Sequence, residues 1–158
     1  MHIYIMRHGE AEMLAHSDSE RALTGLGRLE SEMMARYLAD QNISFDAVLV
    51  SPYLRAQQTW QSVFPFFSAV ANVQTLPFLT PGGSARKSVD EILALQAAGV
   101  QKLLIVSHLP LVGYIVGELV PEAGVPVFST SSVGIVELDE DGFGKFQSLT
   151  NVAQLSDQ

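Results

Sequence analysis

Residues 102–119 read KLLIVSHLPLVGYIVGEL. The LLIV core of this stretch has no polar break, the pattern of a strand covered on both faces. It stops at Ser107-His108, and from Pro110 to Leu119 the pattern becomes that of a helix. A buried strand feeding straight into a helix is half of a βαβ unit, and the unit recurs. His2–Met6 is an apolar run that ends in Arg7-His8-Gly9. Asp46–Val50 is another, ending in Ser51, with a helix expected from Pro52. Thr24–Asn42 predicts a helix, with Leu26, Leu29, Met33, Met34, Tyr37 and Leu38 as its apolar stripe. Val73–Leu76 reads as a short strand, Thr80–Ser84 as a Pro/Gly-rich loop, and Ser88–Ala98 as a helix closed by Gly99. Strands alternating with helices predict an α/β fold, a three-layer sandwich with a mostly parallel central sheet. The tail departs from that rhythm. VGIVELDEDGFGKFQSL (133–149) reads as two strands around an Asp-Glu-Asp-Gly turn, an antiparallel hairpin.

Composition sets the bounds. The chain has 158 residues, 47% of them hydrophobic and 16% charged, which fits a single domain over 1–158 with a real core. No apolar stretch is long enough to span a bilayer. HIYIM is too short for a signal peptide and lacks the small-residue cleavage pattern, so the expected compartment is the cytoplasm and no membrane is expected as a partner. The absence of cysteine excludes disulfides, thiolate nucleophiles and thiolate metal sites. The net charge is −8, with only nine Lys and Arg, and these are scattered. No nucleic acid is expected to bind such a chain. An anionic ligand is favoured only where positive charge is locally concentrated.

Such a place is predicted. In an open parallel sheet, ligands bind beyond the carboxyl ends of the strands. If the three strands above are adjacent, Arg7, His8, Arg55 and His108 converge on one edge. Singly, each has an ordinary reading: a surface cation, a structural histidine, a turn glycine at Gly9. Arg55 is the most informative. With Ser51 as N-cap and Pro52 at the first helical position, it places a cation against the positive end of a helix dipole. An anion bound there explains that placement. Arginine forks match phosphate oxygens, and a neutral imidazole is a nucleophile toward phosphorus. The neighbouring arginines disfavour a protonated His8, while His108 can stabilise charge in the transition state. The set therefore reads as two-step phosphoryl transfer through phospho-His8, followed by hydrolysis. His8-Gly9-Glu10 has the H-x-E spacing of zinc deaminases, but the cysteine ligands are missing. Two arginines would also repel a dication, so neither a metal nor any other cofactor is expected.

MRHGEA, SPYLRAQQT and VSHLPLVG together resemble the signature segments of the histidine phosphatase superfamily, which includes phosphoglycerate mutases and acid phosphatases. The resemblance spans most of the chain and implies a phosphoglycerate mutase-like fold. SDSERALTGLGRLES and SHLPLVGYIVGEL are similar to the superfamily's bacterial phosphohistidine phosphatases. The resemblance implies that His8 becomes phosphorylated and that Arg7, Arg55 and His108 hold the phosphoryl group. Arg21 either faces the same groove or forms a loop salt bridge.

One departure bears on substrate. The mutase and acid phosphatase branches carry a carboxylate after the middle strand, where this chain has LPFLTP and Phe78. The remaining acids are Glu10, Glu12, Asp18 and Glu20. General acid catalysis typically contributes ~10²–10⁴-fold, which an alkoxide leaving group needs more than an imidazole does. Only Pro52 to Gln101 separates the second and third motifs, which leaves little room for a lid. Both features favour a phosphohistidine-bearing protein, such as a histidine-phosphotransfer domain of a phosphorelay, as the partner. The alternatives are a small-molecule phosphomonoesterase of the same superfamily and a non-catalytic module that binds phosphate or other oxyanions.

Overall fold

The structure, a computed structural model, describes residues 1–155. Its strands are β1 (His2–Arg7), β2 (Ala47–Val50), β3 (Asn72–Thr75), β4 (Lys102–Ser107), β5 (Val133–Leu138) and β6 (Gly144–Thr150). Its helices are α1 (Gly25–Ala39), α2 (Leu54–Val63), α3 (Ala85–Ala97), α4 (Leu111–Leu119) and the short α5 (Val152–Leu155). The six strands form one sheet in the order β3-β2-β4-β1-β5-β6. The first four of these run parallel, and the β5–β6 hairpin adds an antiparallel edge beside β1. The predicted α/β sandwich and its C-terminal hairpin are both present.

Alternation along the central strands makes the layers. Ile3, Ile5, Leu49, Leu103 and Ile105 point to one face, where Ile92 and Leu95 of α3 and the apolar side of α4 cover them. Tyr4, Met6, Val48, Val50, Leu104 and Val106 point to the other, under Met34, Ala35 and Leu38 of α1 and Ala56 and Val63 of α2. Strands buried on both sides must be continuous apolar runs, which is why they were legible. No helix among the described residues is long and apolar enough to cross a membrane.

Three local expectations are corrected. Leu26 and Leu29 are not on the buried stripe of α1; they are 53% and 54% exposed. The buried face is Gly27, Ser31, Met34, Ala35 and Leu38. It is rotated because Gly27 backs onto the chain after β1: a Cβ there would lie 2.1 Å from the Glu10 carbonyl oxygen. Close approach, rather than hydrophobicity, chooses the face. Second, α2 starts at Leu54, with Tyr53 at its N-cap, not at Pro52. The Ser51 hydroxyl accepts the Tyr53 N–H and bonds to His108. Third, α3 starts three residues before Ser88, because Ser84 caps it by accepting the Lys87 N–H.

Candidate active site

β2, β4 and β1 are neighbours, and their carboxyl ends are nearly level: Arg7 pairs with Ser107, and Val50 with Val106. The residues that follow each strand are thereby brought to one edge. Arg7, His8, Arg55 and His108 meet there, as the motif spacing predicts.

His8 is held from both sides. Its backbone N–H donates to the Ser107 carbonyl at 2.9 Å. Its Nδ1 lies 2.7 Å from the Gly9 carbonyl oxygen. A carbonyl can only accept, so Nδ1 carries the hydrogen and Nε2 presents its lone pair. The Nε–H of Arg55 reaches that lone pair at 3.3 Å. Burial is the main cause that lowers the His8 pKa to about 4; the Gly9 carbonyl opposes it, and Arg55, Arg7 and Arg21 add to it. His8 is thus a neutral imidazole at pH 7, with Nε2 as the nitrogen that carries the lone pair.

The His108 ring centroid lies 5.0 Å from that of His8. Its Nε2 is 2.6 Å from Ser51 Oγ. Since Ser51 Oγ accepts the Tyr53 N–H, its own hydrogen is available to His108 Nε2. With the Ser51 hydrogen donated to Nε2, the His108 hydrogen sits on Nδ1, a buried atom without a hydrogen-bond partner among the described residues. Burial, then the neighbouring His8 and Arg55, push the His108 pKa down to about 2, with Asp18 opposing. Arg7 donates from Nη1 to the Phe128 carbonyl at 2.8 Å, while its Nε is buried without a hydrogen-bond partner among the described residues. Unpaired buried donors are costly. Two of them beside a neutral imidazole suit an oxyanion with several acceptor oxygens.

Arg55 is 4% exposed. Besides His8 it contacts Asp18, with Nη1 on the backbone oxygen at 2.6 Å and Nη2 on Oδ2 at 3.1 Å. Arg21 bonds Asp18 Oδ1 at 3.1 Å and the Glu12 carbonyl at 2.7 Å. It is a loop ion pair that also joins the site electrostatically. Of the four acids named from sequence, only Asp18 is ion-paired with Arg55 among the described residues. The hydrogen bond from Arg21, and then that from Arg55, hold its carboxyl below the usual range. It is an anion at neutral pH, a poor proton donor. Phe78 packs against the apolar core and lines a shallow depression with Pro77, Thr80, Gly83 and Lys87.

Several contributors escaped sequence reading. Thr59 accepts the Gly9 N–H at 3.0 Å and donates to the Arg55 carbonyl at 2.7 Å, tying the β1 loop to α2. Tyr53 lies edge-on to His108, and the Arg55 guanidinium sits 5.1 Å from its ring centroid. Ser131 N–H donates to the carbonyls of Arg7 and His8. Gly9 also has a different reason than a ligand's approach: a Cβ there would lie 2.6 Å from the Gly27 carbonyl oxygen. Among the described residues no group of three or more His, Cys, Asp or Glu is arranged to hold a metal ion.

The two depressed histidines make stability depend on pH, with a definite sign. Their unfolded pKa is about 6.5, and both folded values lie below it, so the unfolded chain takes up more protons as pH falls below about 6.5. Stability is therefore lost as pH falls below about 6.5, down to about 4 for His8 and on to about 2 for His108, and the pair contributes no slope above that window. Urea unfolding at pH 7.5 and pH 5 should show a lower stability at pH 5, by roughly 2–4 kcal/mol. His108→Gln should reduce the difference. An equal pH dependence in wild type and variant would contradict the neutral, buried state of His108.

Comparison with known proteins places these features in context. Residues 3–79 match the model of the histidine phosphatase superfamily (branch 1). The chain is 45% identical over 146 residues to the phosphohistidine phosphatase SixA of Escherichia coli (strain K12), covering 92% of this chain and 91% of the relative. It is 44% identical over 126 residues to the SixA homolog of Haemophilus influenzae, covering 75% of this chain and 77% of that one. A solved structure of the protein histidine phosphatase SixA complexed with tungstate superposes with a TM-score of 0.95 at 43% identity, covering 98% of this chain and 99% of the other.

Proposed function

This chain belongs to the histidine phosphatase superfamily, and from that premise we propose that it is a protein-phosphohistidine phosphatase working through a covalent phospho-His8 intermediate. The observation that carries the reading is the state of His8. Its Nδ1–H is committed to Gly9, its ring is neutral, and its Nε2 lone pair lies against Arg55. In the first step Nε2 attacks phosphorus and the P–N bond to the substrate's imidazole breaks. The substrate ring, protonated on its other nitrogen, leaves as neutral imidazole. In the second step water attacks phosphorus and the P–Nε2 bond breaks. His8 returns neutral, and the phosphate leaves with both hydrogens of the water. Arg7, Arg55 and His108 Nδ1–H donate to the phosphoryl oxygens, where charge develops. The scheme needs no metal.

Neutral imidazole is a far better leaving group than an alkoxide, which suits a site whose adjacent acid, Asp18, is held as an anion. The mouth favours a protein substrate. Met13 and Leu14 are 85% and 89% exposed, and Leu54 and Val127, neighbours in sequence of Arg55 and of the Phe128 that holds Arg7, are exposed too. Met13 lines a depression with Ser17, Asp18 and Arg21, and an exposed apolar patch rimmed by polar residues supports a docking surface. We read 1–158 as one domain without a lid, since the 52–101 stretch supplies α2, β3 and α3 of the central fold. Its partner in this reading is a histidine-phosphotransfer domain of a cytoplasmic phosphorelay.

The test compares substrates. A phosphorylated histidine-phosphotransfer domain should be hydrolysed with kcat/KM at least ~10²-fold above that for a sugar phosphate, the low end of what a missing general acid costs an ester. A higher kcat/KM for the sugar phosphate would assign the site to a small-molecule phosphomonoesterase instead.

A further inference from the structure

Asp18 is left without a part in the chemistry above, yet it is bonded to the residue nearest the nucleophile. All three nitrogens of Arg55 are engaged: Nε with His8 Nε2, Nη1 with the Asp18 backbone oxygen, and Nη2 with Asp18 Oδ2. The other carboxylate oxygen of Asp18 takes Arg21. Asp18 itself is exposed, with 56% of its side chain accessible, so it is not buried to support the core. Nor does Arg55 depend on the carboxylate for its place. It is buried, its Nη1 is held by a backbone oxygen at 2.6 Å, and its guanidinium lies near the Tyr53 ring.

A phosphate gripped by Arg55 beside His8 must share that guanidinium with the Asp18 carboxylate. The local charge is otherwise strongly positive, from Arg7, Arg21 and Arg55, while both histidines are neutral. Such a cluster binds product phosphate and the transition state alike, and interactions that stabilise both equally do not speed turnover. We propose that Asp18 is a built-in counter-ion that, through Arg55, weakens the site's hold on free phosphate and so speeds product release. It is a positioning and tuning residue rather than a proton donor. The inference rests on the phosphatase reading above for its biological sense, but its physical content is oxyanion affinity.

Asp18→Asn keeps the size and the backbone oxygen that holds Arg55 Nη1, removes the charge, and leaves one side-chain acceptor where the carboxylate had two. Titration calorimetry with inorganic phosphate on the intact chain should show binding roughly 10-fold tighter than wild type, on the scale of one nearby surface charge. Product inhibition by phosphate should tighten in parallel, and kcat should fall several-fold while kcat/KM for the phosphorylated domain does not fall. Asp18→Glu, which restores the charge, should return phosphate affinity toward wild type. A purely structural role predicts the opposite sign, because a loosened Arg55 binds phosphate more weakly. Unchanged or weaker phosphate binding in Asp18→Asn would overturn the proposal. The calorimetry needs no turnover, so tighter phosphate binding in a protein that fails to hydrolyse phosphohistidine would sink the phosphatase reading and leave this one standing.

Discussion

His8→Ala is expected to lose turnover of a phosphohistidine protein by about 10⁴-fold or more, because the step that forms the covalent intermediate has no other nucleophile. His108, the other histidine that follows a strand's carboxyl end among the described residues, has its Nε2 engaged by Ser51. The fold should survive the change. His8 lies beyond the end of β1, and the apolar clusters on the two sheet faces do not include it. Its backbone N–H bond to Ser107 is kept by alanine. The side chain removed is buried, so a loss of about 1–2 kcal/mol in stability is expected from the cavity. Steady-state kinetics and urea unfolding on the same preparation separate the two effects. Activity near wild type in the folded variant would refute covalent catalysis by His8.

Arg55→Ala carries the second largest expected effect. The guanidinium touches the nucleophile's lone pair, lies within reach of the phosphoryl oxygens in the proposed scheme, and anchors the Asp18 loop. Its loss should cost about 10²–10³-fold in kcat, the scale of one preorganised charge-stabilising donor, and should weaken inorganic phosphate binding as well. Arg55→Lys should recover only part of the loss. An ammonium cannot reach His8 and both Asp18 oxygens with one planar fork. It also lacks a fixed donor beside His8 Nε2. Full recovery in the Lys variant would show that point charge alone, rather than the fork, is what the site requires.

Much of the fold and of the candidate site was legible because the features that build them are local. Each of β1, β2 and β4 is a continuous apolar run, and the residues at issue follow the run directly, so a parallel sheet brings them to one edge. Arg55 was found by its awkward position in the first turn of a helix, which holds although the helix begins at Leu54 and not Pro52. What could not be read depends on contacts between distant segments. Gly9 and Gly27 look like turn glycines in sequence; in the fold each lets the β1 loop and α1 approach closely. Thr59 is an ordinary helical threonine until Gly9 N–H meets it. The partner of His108 Nε2 is Ser51, fifty-seven residues away. Asp18 was one of four acids with little to distinguish it: Arg21, three residues on, is an ordinary loop pairing, and Arg55 reaches it from α2, thirty-seven residues away. Phe78 shows the converse: a residue singled out by position in the sequence packs on the core edge.

The central claim is that the phosphoryl group passes through His8. The most direct measurement is a rapid-quench experiment in which the enzyme is mixed with a histidine-phosphotransfer domain carrying a radiolabelled phosphoryl group. The quench is alkaline, to preserve the phosphoramidate bond, and the label is mapped by peptide analysis. The account predicts transient label on the peptide containing His8, appearing before free phosphate and absent in His8→Ala. Release of phosphate at the full rate with no label on His8 at any time would contradict it.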